Sequence, residues 1–253
     1  MRLRFSRVAA GSVGKRQRWT KQEVVVAEER VTFALTEEIA VIRMDDGKAN
    51  ACGFAMLDAL NEALARAQRE ASAVLLTGRP GILSGGFDLS VIRAGDAAKT
   101  DRMVELGVRT LMRFYGHPQP VVIAATGHAV ALGAFLLLTA DYRVGAEGDF
   151  AVGLNETAIG LTLPLFGVEL ANARLARRHL ASATINAQMY TPEAAVEVGF
   201  LDAIVSAEKL ESAALAQARS LAALDSAAFA ANKGAFRNAL IERVLAALSS
   251  RRE

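Results

Sequence analysis

A chain of 253 residues that is 52% hydrophobic and 22% charged has the composition of a globular protein with a sizeable core, which excludes a wholly disordered chain. A single cysteine, Cys52, excludes an intramolecular disulfide and a cysteine-cluster metal site; three histidines are too few for a histidine-rich one, and a reducing compartment fits. The formal net charge of +2 conceals an asymmetry, because residues 1–22 hold seven Lys and Arg and no acid, leaving the other 22 basic side chains to face all 27 acids.

Residues 1–27 read as a basic N-terminal extension. Being Arg-rich and acid-free, it matches an organelle transit peptide; an extension from an upstream start, or a basic arm for nucleic acid or anionic lipid, are the other readings. Only Trp19 adds an aromatic ring among the charges, so no nucleic-acid partner is expected and the segment is taken as solvated. The matching location is cytoplasmic for a bacterial protein, or the mitochondrial matrix if the extension is a transit peptide.

Val31–Leu35 and Ile39–Arg43 then read as paired strands, followed by a turn at Asp45-Asp46-Gly47. Phe54–Gln68 puts Leu57, Leu60, Leu64 and Ala67 on one helical face. Ala73–Thr77 is a short apolar run, as in a strand buried on both faces, and Gly78–Gly86 is a loop. Met103–Tyr115 reads as a helix. Residues 121–140 carry no charge and are long enough to span a bilayer. However, Pro120, the β-branched Val121, Val122 and Ile123, and the break at Thr126-Gly127-His128 resolve them into a strand at Val121–Ala125, a tight loop and an apolar helix at Ala134–Ala140. No membrane span is expected. Tyr142–Val144 begins another strand, and Pro164 opens a helix to about Arg178. Thr191-Pro192-Glu193 joins a capping hydroxyl, a first-turn proline and an acid near the positive pole, with Gly199 as the stop. Ile204–Val205 is a last short strand, and alanine-rich helix runs from Ser206 almost to the end. The organisation expected is an α/β core over 28–205 and a helical region over 206–253.

Three segments carry chemical interest, each beside a plainer reading. Ser84-Gly85-Gly86-Phe87-Asp88-Leu89 follows a buried strand; its glycines allow close backbone approach and free amides, or simply make a turn. Thr126 to Phe135 runs from strand through loop to helix, which presents unpaired amides at a positive helix end, or merely packs. His128 has no evident partner and reads as a structural histidine. Glu156 is the one acid between Phe150 and Phe166; burial there would raise its pKa toward a useful value for a base, and exposure would leave an ordinary loop glutamate.

Together the three segments resemble the enoyl-CoA hydratase/isomerase (crotonase) superfamily, from about Val31 to Val205 and more loosely beyond. The matching features are Gly86-Phe87-Asp88, the Gly-x-Ala-x-x-x-Gly segment from Gly127 with the apolar helix to Asp141, and Glu156 ahead of a glycine turn. The resemblance implies a crotonase-like spiral of repeated ββα units with a C-terminal helical region. It implies an oxyanion hole made by the backbone N–H groups of Phe87 and Leu132, a pocket including Gly86, Gly133 and Phe135, and Glu156 as the catalytic acid–base. Leu132 departs from the family's usual glycine. Phe135 stands where hydratases of the family place a second glutamate, a pattern similar to the single-glutamate isomerases that interconvert 3-enoyl-CoA and 2-enoyl-CoA. The activity implied is that isomerisation in fatty acid metabolism, with 2-enoyl-CoA hydration or non-catalytic acyl-CoA binding as alternatives. No metal or cofactor is implied beyond the CoA thioester substrate. The implied assembly is a homotrimer or hexamer, through apolar faces of the tail at Ala214–Ala223 and Ala239–Leu248; the competing view is that the tail caps its own core.

Overall fold

A computed structural model describes residues 25–27 and 30–250, so the extension expected over 1–27 lies outside the described residues apart from Val25–Ala27. Those three form β1, which pairs antiparallel with β2 (Val31–Thr36), itself antiparallel to β3 (Ile39–Met44). The helix α1 (Phe54–Glu70) buries Met56, Leu57, Leu60, Leu64 and Ala67, the face its spacing requires.

Three times the chain then lays down two strands and a helix. The first unit is β4 (Ala73–Thr77), β5 (Gly81–Ser84) and, after a short α2 (Leu89–Arg93), α3 (Ala97–Tyr115). The second is β6 (Val121–Ala125), β7 (Gly127–Val130) and α4 (Leu132–Thr139). The third is β8 (Tyr142–Ala146), β9 (Val152–Gly153) and α5 (Leu165–Arg174). First strands join one seven-stranded sheet, β1-β2-β3-β4-β6-β8-β10; second strands make a three-stranded parallel sheet, β5-β7-β9. This is the ββα spiral that the resemblance implies. The chain closes with α6 (Leu180–Thr184), α7 (Pro192–Val198), β10 (Ala203–Val205), α8 (Leu210–Ala222) and α9 (Ser226–Ser249).

The central strands β4 and β6 are almost wholly apolar because both faces are covered. Val74, Leu76, Val121 and Ile123 point into the core shared with α1, α3 and α4. Leu75, Val122, Ala124 and Val144 point the other way, onto Leu210, Ala214, Leu215 and Ala218 of α8. The apolar face of Ala214–Ala223 is therefore turned inward on its own sheet, and α9 likewise buries Leu240 and Val244 against the main core. These buried faces of the tail lie against the chain's own core.

Several elements differ from the reading of the sequence. The loops at Gly78–Gly86 and after Ala125 contain β5 and β7, four-residue strands too short to show alternation. The helix α3 begins at Ala97, where the Asp96 carboxylate accepts a hydrogen bond from Lys99 N at 2.9 Å; its polar first turns hide it before Met103. The helix opened by Pro164 ends at Arg174 rather than Arg178. The tail is two helices, α9 being capped by Asp225 through Ala228 N at 2.7 Å. Among the described residues no helix is long and apolar enough to cross a membrane.

Two acids fasten the last elements to the spiral. Asp141, between α4 and β8, accepts from Val121 N at 2.7 Å and pairs with Lys233 at 2.5 Å and Arg237 at 2.9 Å. Asp202 receives both Nε and Nη2 of Arg143, at 2.9 and 2.6 Å, fixing the turn into β10.

Candidate active site

The end of β5 is bolted to the segment before α1. Ser84 Oγ donates to Asn50 O at 2.8 Å and accepts from Gly86 N at 3.2 Å, while Cys52 N donates to Gly86 O at 2.8 Å. Asn50 is fully buried at φ 50°, and its Nδ2 donates to Met44 O and Leu83 O at 3.0 and 3.1 Å. Sequence reading saw only a turn here; the role of Asn50 depends on carbonyls from two other strands and leaves no local pattern.

Gly86, at φ 105°, brings this loop against the start of α4. A Cβ added there would lie 3.1 Å from Ala131 Cβ and 3.6 Å from Leu132 N. One at Gly133 would lie 2.2 Å from Ser84 O, so α4 can approach β5 this closely only with glycine at that position. Leu132 is the first residue of α4, where an amide has no intrahelical acceptor and the helix pole is positive. Neither the Phe87 nor the Leu132 amide donates to another described residue. The two side chains share a seat on α3: a Cβ at Gly107 would meet Phe87 Cε1 at 2.5 Å and Leu132 Cδ2 at 3.7 Å.

The third segment arrives through β9. Val130 pairs with Gly153, and Ala131 N donates to Gly153 O at 3.1 Å, which carries the chain on to Glu156 at the head of a short 3-10 turn, Thr157–Ile159. Glu156 is half-buried, and its Oε2 is buried without a hydrogen-bond partner. Burial raises its pKa, with its own backbone amide opposing. Asn155 Oδ1 is buried and unpartnered beside it.

The remaining residues singled out from sequence have their own partners. Phe135 is 1% exposed, edge-on to Phe166 at 5.1 Å, and its Cζ would lie 2.7 Å from a Cβ at Gly167; it packs α4 against α5, with no acid at that point on α4. A small apolar cavity of about 30 Å³, lined by Val104, Val108, Phe166, Val244 and Leu248 among others, lies between α3, α5 and α9. His128 is exposed and its Nδ1 accepts from Ala151 N at 2.9 Å, a structural latch between β7 and β9. Asp88 caps α2 through Ser90 N at 2.9 Å. Among the described residues no three His, Cys, Asp or Glu gather as metal ligands would.

These segments offer one unengaged amide at the N-terminus of α4, another in the loop after β5, and a carboxylate held partly out of water. Such groups, brought to one substrate, can stabilise an oxyanion and move one proton. A family model described as enoyl-CoA hydratase/isomerase matches residues 34–252. The chain is 26% identical over 246 residues to the human mitochondrial enoyl-CoA delta isomerase 1, covering 96% of this chain and 80% of that one. It is 32% identical over 212 residues to a Rhodobacter capsulatus protein named "Probable enoyl-CoA hydratase", covering 81% and 80%. A crystal structure of an enoyl-CoA hydratase/isomerase family protein from Pseudomonas syringae superimposes with a TM-score of 0.85 at 41% identity, covering 88% of this chain and 96% of the other.

Proposed function

Because the chain belongs to the enoyl-CoA hydratase/isomerase family of acyl-CoA enzymes, we propose that it shifts the double bond of a 3-enoyl-CoA to the 2-position, with Glu156 carrying the proton. The thioester oxygen sits between the amides of Phe87 and Leu132. The Glu156 carboxylate takes a proton from carbon 2, and the electron pair delocalises through the thioester as a dienolate. The two amides and the positive pole of α4 stabilise that charge, an effect worth several kcal/mol in a preorganised site, on the order of 3 kcal/mol per donor. Glu156 then returns the proton at carbon 4. Hydration would need a second group to hold and activate water. Phe135 supplies none and keeps its part of the wall dry.

The observation that carries this reading is the solitude of Glu156, a half-buried carboxylate with one oxygen unpartnered and phenylalanine where a second acid would stand. Glu156→Gln is expected to lower kcat on a 3-enoyl-CoA by about 10²–10⁴-fold while acyl-CoA binding changes little. Turnover in that variant comparable to the parent's rejects the role. Hydration is the second reading, favoured by the name of the Rhodobacter relative. Loss of the enoyl absorbance of crotonyl-CoA on mixing with the protein would select it. Binding of acyl-CoA with no turnover of either substrate would select a carrier.

Self-association belongs to the same proposal. Ile159, Leu161, Leu165 and Val168 are each 41–54% exposed just beyond Glu156. A second copy laid on that surface would cover the approach to the carboxylate. Sedimentation as a monomer at micromolar concentration would remove this part.

A further inference from the structure

At the opposite end of α4 from Leu132 lies a pocket of about 650 Å³, between the C-terminal ends of α3, α4 and α5 and the first half of α9. Sites for small molecules typically enclose roughly 300–1,000 Å³. Its charged lining is Arg174, Lys233 and Arg237 with Asp141 and Asp225.

These five side chains differ in their hydrogen bonds. Asp141 is engaged by Val121 N, Lys233 and Arg237. Asp225 Oδ1 caps α9. Lys233 directs its ammonium at Asp141, His117 O and Gln119 O, which uses its three hydrogens. Arg237 donates to Tyr115 O, Thr139 O and Asp141. Arg174 differs. Its Nη2 donates to Ala140 O at 2.8 Å, but its Nε is buried with no acceptor, and no described carboxylate is paired with it. Burial, then the neighbouring Arg143 and Arg237, pulls its pKa down to about 10, with Tyr115 and Asp202 opposing. Around this donor the wall is apolar, with Phe229, Leu224 and Phe236, and the last two are 53% and 89% exposed.

We propose that this pocket binds an amphiphilic carboxylate, its two oxygens taken by the Nη1 and Nη2 hydrogens of Arg174 that Ala140 O leaves free, with its hydrocarbon part lying on Phe229, Leu224 and Phe236. One free guanidinium edge matches one carboxylate in a bidentate pair. A phosphate dianion would find no second uncommitted cation and would face Asp141 and Asp225. The eight residues of α4, roughly 12 Å of helix, separate this pocket from the Leu132 amide, so the two sites are distinct.

Titration calorimetry of the full chain with sodium decanoate, 1-decanol and inorganic phosphate tests the assignment. Decanoate is expected to bind once per chain, with affinity reduced at least about tenfold by Arg174→Gln and several-fold by Phe236→Ser. Because Arg174→Gln also alters a bond to Ala140 O, a second variant is needed. Asn232→Asp, on an exposed part of the lining, adds a repelling charge without disturbing a buried bond and is expected to weaken decanoate as well. The proposal is overturned by absence of decanoate binding, by affinity unchanged in both charge variants, by equal binding of decanol or phosphate, or by displacement of decanoate with acyl-CoA.

Discussion

Ala131 is held at φ 52°, ψ −119°, where an L side chain is strained by about 1–3 kcal/mol and glycine is not. Its N–H is fixed to Gly153 O and its carbonyl to Phe135 N, so neighbours impose a conformation that turns the next amide, Leu132, out of the helix ladder. Ala131→Gly is expected to raise stability by about 1 kcal/mol, strain relief exceeding the unfolded-state entropy that glycine adds; a denaturation midpoint no higher than the parent's would show the alanine to be unstrained. Glu156 carries the opposite liability. Its folded pKa is raised above 4.5, so the ionised carboxylate weakens the fold at higher pH, and the penalty is relieved as pH falls through the raised value. Glu156→Gln is therefore expected to melt higher than the parent near neutral pH, by about 2–4 °C per kcal/mol relieved, and to lose that advantage toward pH 4.5. In the parent, the acid limb of kcat/KM should lie above the usual carboxylate range; a limb at or below 4.5 contradicts the burial of the base. These two residues illustrate what a sequence discloses. Glu156 was legible as the one acid in a neutral stretch, and Phe135 by counting along the helix. The strain at Ala131 was not, because it exists only once β9 lies beside β7.

At the scale of elements, Gly107 governs the site from outside it. The ring of Phe87 occupies the space a side chain on α3 would fill, so Gly107→Ala would push a Cβ to 2.5 Å from that ring. The ring must shift and carry the Phe87 amide with it. The expected cost is about 1–3 kcal/mol of stability, with kcat falling tenfold or more while KM changes less. A variant that loses stability but keeps kcat would show that the amide is positioned independently of the ring. The long elements were legible because burial imposes periodicity on α1 and continuous apolar runs on β4 and β6. The second strands were not. β5, β7 and β9 have two to four residues each and are strands only because the spiral sets them side by side in parallel.

For the whole molecule, the same limit applies to the tail, whose apolar stripes announced burial but not against what; α8 turned out to cover its own sheet. The closure of α9 rests on Asp141. Asp141→Asn would leave Lys233 and Arg237 buried beside a neutral group, at an expected cost of about 3–5 kcal/mol. Adding Lys233→Met should restore part of it, and a double variant no more stable than the single one would show that the cations are satisfied by carbonyls alone. The contacts of α9 also set a schedule for the nascent chain. Lys233 and Arg237 reach back 116 and 122 residues to the carbonyls of His117 and Tyr115. At translation rates of about 5–20 residues per second, those helix ends and the Asp141 carboxylate stand uncovered for on the order of 10 s. One sheet face waits nearly as long for α8. The protein is thus completed from its last-made segment backward, and a ribosome-bound chain short of Lys233 is expected to be a protease-sensitive client of chaperones, becoming resistant only when α9 emerges.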